Sequence, residues 1–366
     1  MSFKPAALAA ILSIALGASA QAEPTVARAD VADGLKPLPM AVGGRVAGQG
    51  SLGYQWPGVY FETAFEGSSA YFTLGPGKVI LHVLVDGKAL APMDKPAAGT
   101  YRLGGLAAGK HTLRIEVATE SQAGPNVFGG FALPKDGVPA ALPKRSRRIE
   151  FIGDSHTVGY GNVSPTHDCS TDDVWKTTDN TQAFGPVTAR HYGADYRVNA
   201  ISGRGIVRNY DGFTADQLPL AYPYALFDRS VTADDTGWRP QVIVIALGTN
   251  DFSTPLKPGE RWKTRAELHA DYEATYVKFV QSLRTKHPEA YIVLWATGLA
   301  GGEIADEVAK VADQLKAGGE KRLAYLPLKD LVMGGCHFHP SAADDQTIAN
   351  ALIKVIDAQP GVWEGR

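Results

Sequence analysis

The chain is poor in cysteine, in methionine and in any surplus of charge. Its 366 residues include two cysteines and four methionines, and 36 Lys and Arg stand against 38 Asp and Glu, a formal net charge of −2. A nucleic-acid partner, which asks for clustered cations, is not expected from this balance. The one dense basic run, "KRSRR" at 144–148, reads as a solvated linker. Two cysteines cannot form a convincing thiolate metal cage. His156, His167, His191 and His287 lack ligand-like spacing and read as solvated or loop residues, so no metal and no cofactor is expected. Internal repeats and long low-complexity tracts are also missing.

What is present is an ordinary globular composition, 45% hydrophobic and 20% charged, with length enough for two cores. Residues 1–22 combine one Lys, an apolar stretch from Ala6 to Leu16 and small residues in A-x-A spacing. That pattern predicts a signal peptide, since the apolar run is too short to span a bilayer and no other segment approaches that length. The mature chain is therefore expected to be secreted or periplasmic, with no membrane contact, and monomeric. In an oxidising compartment a pair of cysteines is more often bridged than free, so Cys169 and Cys336 are expected to form a disulfide.

Two periodicities divide the rest. From Val59 to Leu133, short alternating runs such as "SAYFTL" and "HTLRIEVAT" are separated by Gly, Pro or Asp-Gly. They predict an antiparallel β-sandwich over 23–140, with a hairpin turn at Asp86-Gly87. A linker is expected at 141–148. Beyond it, continuous apolar runs at 149–152, 196–201, 242–247, 291–296 and 323–328 alternate with helical segments. This is the pattern of a five-stranded parallel sheet covered on both faces, an α/β domain over 149–366. The helix expected at 264–286 places Leu268, Tyr272, Tyr276, Phe279, Val280 and Leu283 on one face.

In such a sheet, chemistry gathers beyond the carboxyl ends of the strands. With strand order 2-1-3-4-5, three loops converge there, carrying Gly153-Asp154-Ser155, "ISGRG" (201–205) and "GTND" (248–251). Acyl transfer needs a nucleophile, a base and donors for a developing oxyanion. Ser155 suits the first role; its own N–H, the Gly203 N–H and the Asn250 amide suit the third. The base is expected at His339, which Pro340 holds at the start of the last helix. Asp154 reads as a structural hydrogen-bonder, Asp251 as a cap, and Trp175, Trp238 and Trp295 as core residues.

The motifs "GDSHTVGYGN", "ISGRGIVRN", "GTNDFS" and "GCHFHPS", in this order from about Arg147 to the C-terminus, resemble the SGNH (GDSL-like) esterases. More narrowly, they resemble carbohydrate esterase family two, in which a jelly-roll β-sandwich precedes a three-layer α/β/α SGNH domain. The resemblance implies Ser155 as nucleophile, His339 as base, Gly203 and Asn250 as oxyanion donors, and acetylated carbohydrate such as xylan as substrate. The rival expectations are a lipase-like or thioesterase SGNH activity and a non-catalytic polysaccharide-binding protein. One departure stands out. The Asp usual three residues before the His is Cys336, and the Asp-Trp often found directly before it is His337-Phe338. A Ser-His dyad oriented by a backbone carbonyl is expected instead, with Asp330 or Asp344 as alternatives. His337 and Phe338 are the expected substrate contacts, and the sandwich is expected to serve as a rigid prop for one wall of the cleft.

Overall fold

The computed structural model describes residues 23–30 and 34–364. The expected signal peptide lies outside them. The N-terminal region forms two antiparallel sheets. One runs Thr25–Arg28, Gly99–Gly104, Ala70–Leu74, Asn126–Leu133, Lys36–Leu38, with Leu52–Tyr54 also paired to Asn126–Leu133. The other runs Val138–Pro139, Tyr60–Glu66, Lys110–Val117, Ile80–Val85, Lys88–Ala89. Alternation does what period two requires: Ile80–Val85 buries Leu81, Val83 and Val85 and turns the residues between them outward. Phe61 and Phe128 stack across the sandwich with ring centroids 4.0 Å apart. The expected hairpin is present, with Asp86 and Gly87 both at positive φ, as a type I′ turn needs. The strands at Thr25–Arg28, Lys36–Leu38 and Ala41–Gly43 come from a stretch with little alternation, and partners distant in sequence recruit them.

The C-terminal region contains one parallel sheet of five strands, β1 (Arg148–Gly153), β2 (Asp195–Ala200), β3 (Val242–Ala246), β4 (Tyr291–Thr297) and β5 (Leu323–Leu328). Their order is β2-β1-β3-β4-β5, the order expected from sequence. Successive side chains serve opposite faces. Ile243 and Ile245 pack with the helices Arg265–Lys286 and Glu303–Ala317, while Val242 and Val244 pack with Phe184–His191 and Ala342–Asp357. The six apolar and aromatic residues expected on one face of Arg265–Lys286 are all buried.

The two regions share a seam rather than a tether. Six of the seven residues of Tyr60–Glu66 are buried: Phe61 and Phe65 enter the sandwich core, while Tyr60 packs on Tyr196 of β2. Tyr60 donates to Asp195 at 2.8 Å under the Arg114 guanidinium. Arg145 pairs with Glu62 at 2.8 Å and reaches Asp195 at 3.4 Å, and Arg148 already belongs to β1. The basic run is thus not the solvated linker its composition suggests, since Arg145 finds carboxylate partners on both sides of the seam, buried Glu62 and partly buried Asp195. Farther along, Glu150 of β1 is fully buried and accepts from Asn199, Tyr222 and Trp238, with Arg45 of the sandwich 4.0 Å away.

Trp238 and Trp295 are core residues, as expected. Trp175 is half-buried with Lys95 over its ring, and lines a cleft of about 730 Å3 between the two regions. His156 and His287 are buried, contrary to the expectation of solvation, because each sits where elements pack around it.

Candidate active site

β1 ends at Gly153, and Asp154 caps the short helix Ser155–Val158 by accepting the His156 N–H at 3.0 Å. Ser155 therefore stands at the first helical position, where a backbone N–H has no intrahelical partner. Among the described residues, neither the Ser155 N–H nor the Gly203 N–H has a protein acceptor. Ser155 Oγ lies 2.9 Å from His339 Nε2, and His339 Nδ1 lies 2.9 Å from the Cys336 carbonyl oxygen. Since a carbonyl can only accept, Nδ1 carries the proton and Nε2 is free to accept from the serine.

Among the described residues, no carboxylate bonds to the imidazole. Burial pushes its pKa down to about 4, and the hydrogen bond to the Cys336 carbonyl offsets this only in part. Asp344 is occupied elsewhere, closing the N-terminus of Ala342–Asp357 through Ser341 and accepting from the Val332 and Gly334 N–H groups.

The loop that bears the base is tied to the serine side by several contacts. Cys169 and Cys336 are joined in a disulfide. His337 spends one ring nitrogen on the Cys169 carbonyl at 2.8 Å and the other on the Tyr160 hydroxyl at 3.1 Å. Both nitrogens of this expected substrate contact are thus engaged within the protein. Gly161 packs so tightly on the bridge that a Cβ there would lie 2.4 Å from Cys336 Cβ. Phe338 is 62% exposed and stacks on His167, whose Nδ1 meets the Gly335 carbonyl at 3.0 Å.

Asn250 is buried with its amide nitrogen 2.9 Å from the Arg204 carbonyl and 3.2 Å from Asp154 Oδ2. It therefore joins all three loops, and an oxyanion would have to share its N–H groups with these acceptors. Burial raises the Asp154 pKa to about 7, with neighbouring Asp251 adding to the shift. Asp251 is more than the cap its position suggests. It accepts the N–H groups of Ile206, Val207 and Arg208 at 2.9–3.0 Å and holds the second loop in place.

Several residues of the site escaped the sequence reading. The Tyr160 ring lies 4.3 Å from that of His339, and the buried His156 packs between His339 and Trp295. Burial lowers the His156 pKa well below its ordinary value, so its ring is neutral. Both residues lie within five positions of the serine; proximity in sequence was the available signal. Glu120 and Gln122 reach the second loop from the sandwich, and no local pattern marks them.

Comparison with known proteins places this geometry. Residues 42–143 match the carbohydrate esterase 2 N-terminal family and residues 151–347 the GDSL-like lipase/acylhydrolase family. An acetylxylan esterase/glucomannan deacetylase of Cellvibrio japonicus is 48% identical over 339 residues, covering 91% of this chain and 94% of the relative. The cellulase/esterase CelE of Acetivibrio thermocellus is 32% identical over 84% of this chain, which spans 37% of that longer protein. Among solved structures, a carbohydrate esterase described as having divergent catalytic and non-catalytic binding functions in its active site superposes with a TM-score of 0.86. It is 46% identical, over 90% of this chain and all of that one. A family two carbohydrate esterase from Clostridium thermocellum in complex with cellohexaose gives 0.79 at 29% identity, over 88% and 100% of the two chains. The chain belongs to carbohydrate esterase family two, with a β-sandwich of that family ahead of a GDSL-like hydrolase domain.

Proposed function

We propose that the protein removes acetyl groups from the hydroxyls of plant cell-wall polysaccharide, xylan or glucomannan, through an acetyl-Ser155 intermediate. The observation that carries this reading is the 2.9 Å contact between His339 Nε2 and Ser155 Oγ, with Nδ1 anchored on a carbonyl. His339 accepts the serine proton as Oγ attacks the acetyl carbonyl carbon. The Ser155 and Gly203 N–H groups and the Asn250 amide meet the oxygen that becomes negative. His339 then returns the proton to the departing sugar oxygen, and water repeats the cycle on the acetyl-enzyme.

Tyr210, Phe213 and Phe338 are 52%, 42% and 62% exposed, and Phe213 and Phe338 adjoin Gly203 and His339. Exposed aromatic rings beside a catalytic pair suit the flat faces of sugar rings. We place the protein outside the cytoplasm as a monomer that needs no cofactor. Acetate release from acetylated xylan and glucomannan, together with a p-nitrophenyl ester series, tests the reading. The acetyl ester should be turned over fastest. Preference for long acyl chains, or no turnover, would sink it.

A further inference from the structure

Ser202 sits between β2 and the loop that carries Gly203, and the sandwich takes both of its backbone polar groups. Its N–H donates to Glu120 Oε1 at 2.7 Å, and its carbonyl accepts from Gln122 Nε2 at 3.1 Å. Gln122 Nε2 also donates to Glu120 Oε1 at 3.1 Å. Both partners of that nitrogen are acceptors, so the amide has one orientation.

Residues 201–204 form a β-turn closed by the Arg204 N–H on the Ile201 carbonyl at 3.2 Å, with Gly203 in third place at φ +82°. This is the type II geometry. Types I and II differ by turning over the central peptide: ψ of the second residue moves from about −30° to about +120°, and φ of the third from about −90° to about +80°. Glycine in third place accepts either sign of φ, so the turn's own sequence does not choose. Here the central peptide is Ser202–Gly203, and it carries the N–H to which the oxyanion role was given above. In a planar trans peptide the N–H and C=O point to opposite sides. Any flip that turned the Gly203 N–H away would also tear the Ser202 carbonyl from Gln122.

We propose that Glu120 and Gln122, supplied by the sandwich, are positioning residues that lock the Ser202–Gly203 peptide with its N–H facing the reacting carbonyl oxygen. The proposal rests on the esterase reading. It gives the sandwich a part in transition-state stabilisation that a passive wall would lack.

Gln122→Met keeps the side chain's length and removes its donor. On p-nitrophenyl acetate, kcat should fall about tenfold, less than the hundredfold or more expected for losing a whole donor, with KM within about twofold. Phenylboronic acid, whose tetrahedral adduct on the serine needs the same N–H, should bind more weakly by a similar factor. Gln122→Glu should lose at least as much. Arg145→Met cuts a seam contact away from the turn and should leave kcat within about twofold. Unchanged kcat in Gln122→Met, unchanged boronate affinity, or an equal loss in Arg145→Met would each overturn the proposal. If the wild-type enzyme failed on p-nitrophenyl acetate, both readings would fall together.

Discussion

The two ends of β1 do opposite things with buried polar groups. Near its start, Glu150 is enclosed but saturated by three donors, and Asp235 beside it meets Arg45, Arg197 and Lys286. At its tip, the Ser155 and Gly203 N–H groups and the Ser155–His339 pair face a site where the described residues supply no acceptor for those N–H groups and no carboxylate on the imidazole. Saturation holds two sheets together. Unsatisfied donors await a substrate's charge, and the surrounding scaffold must hold them there.

The largest expected effect breaks the tip alone. Ser155→Ala removes the covalent route and should cost at least about a thousandfold in turnover, while the melting temperature stays near that of the wild type. His339→Ala should fall as far. Asp344→Asn should lose less than about a hundredfold, because that carboxylate serves the helix cap and not the imidazole. Kinetics on the three variants check this. An Asp344→Asn loss equal to that of His339→Ala would restore a triad in place of the dyad.

The next effect breaks the other end. Arg45→Met leaves Glu150 and Asp235 with one cation fewer in a fully enclosed site, and breaking a buried pair costs on the order of 3 kcal/mol. Urea unfolding should register that loss while kcat per folded molecule stays within about twofold. A variant as stable as the wild type would mean that the seam charges contribute nothing net.

Legibility in the sequence follows the same division. Gly153-Asp154-Ser155, Gly203 and Asn250 stand out because each sits where a strand signal stops and strand order brings those ends together, and His339-Pro340 because it precedes the last helix. The parallel sheet was readable because unbroken apolar runs leave few alternatives. Arg145, Arg45 and the Glu120–Gln122 pair were not. Each looks like a surface residue in its own segment and acquires its role from a partner dozens of residues away. The burial of His156 and His287 was hidden for a related reason: a histidine's spacing is silent about what packs on its ring.

The smallest expected effect is acidification, and it sharpens the comparison most. In the free enzyme kcat/KM requires neutral His339, and the acid limb reports its pKa. Because burial without a nearby carboxylate lowers that pKa from about 6.5 to about 4, the base should stay competent to about pH 5 and fail only below pH 4. The other end of β1 should withstand the same acid. Burial would raise the Asp235 pKa, but Arg45, Lys286 and Arg197 hold it near 2, so its stabilising charge is present above the ordinary carboxylate range and is lost only as pH falls towards 2. Asp154 and Asp251, pushed up by burial to about 7 and about 6, titrate above both of these and beside the site. A step in the profile near those values should therefore vanish in Asp154→Asn or Asp251→Asn. With those two carboxyls accounted for, kcat/KM should change less than about twofold from pH 7 to pH 5. A limb near pH 6.5 that survives both substitutions would belong to His339, and would show that its ring is far better solvated or better paired than a lone carbonyl allows.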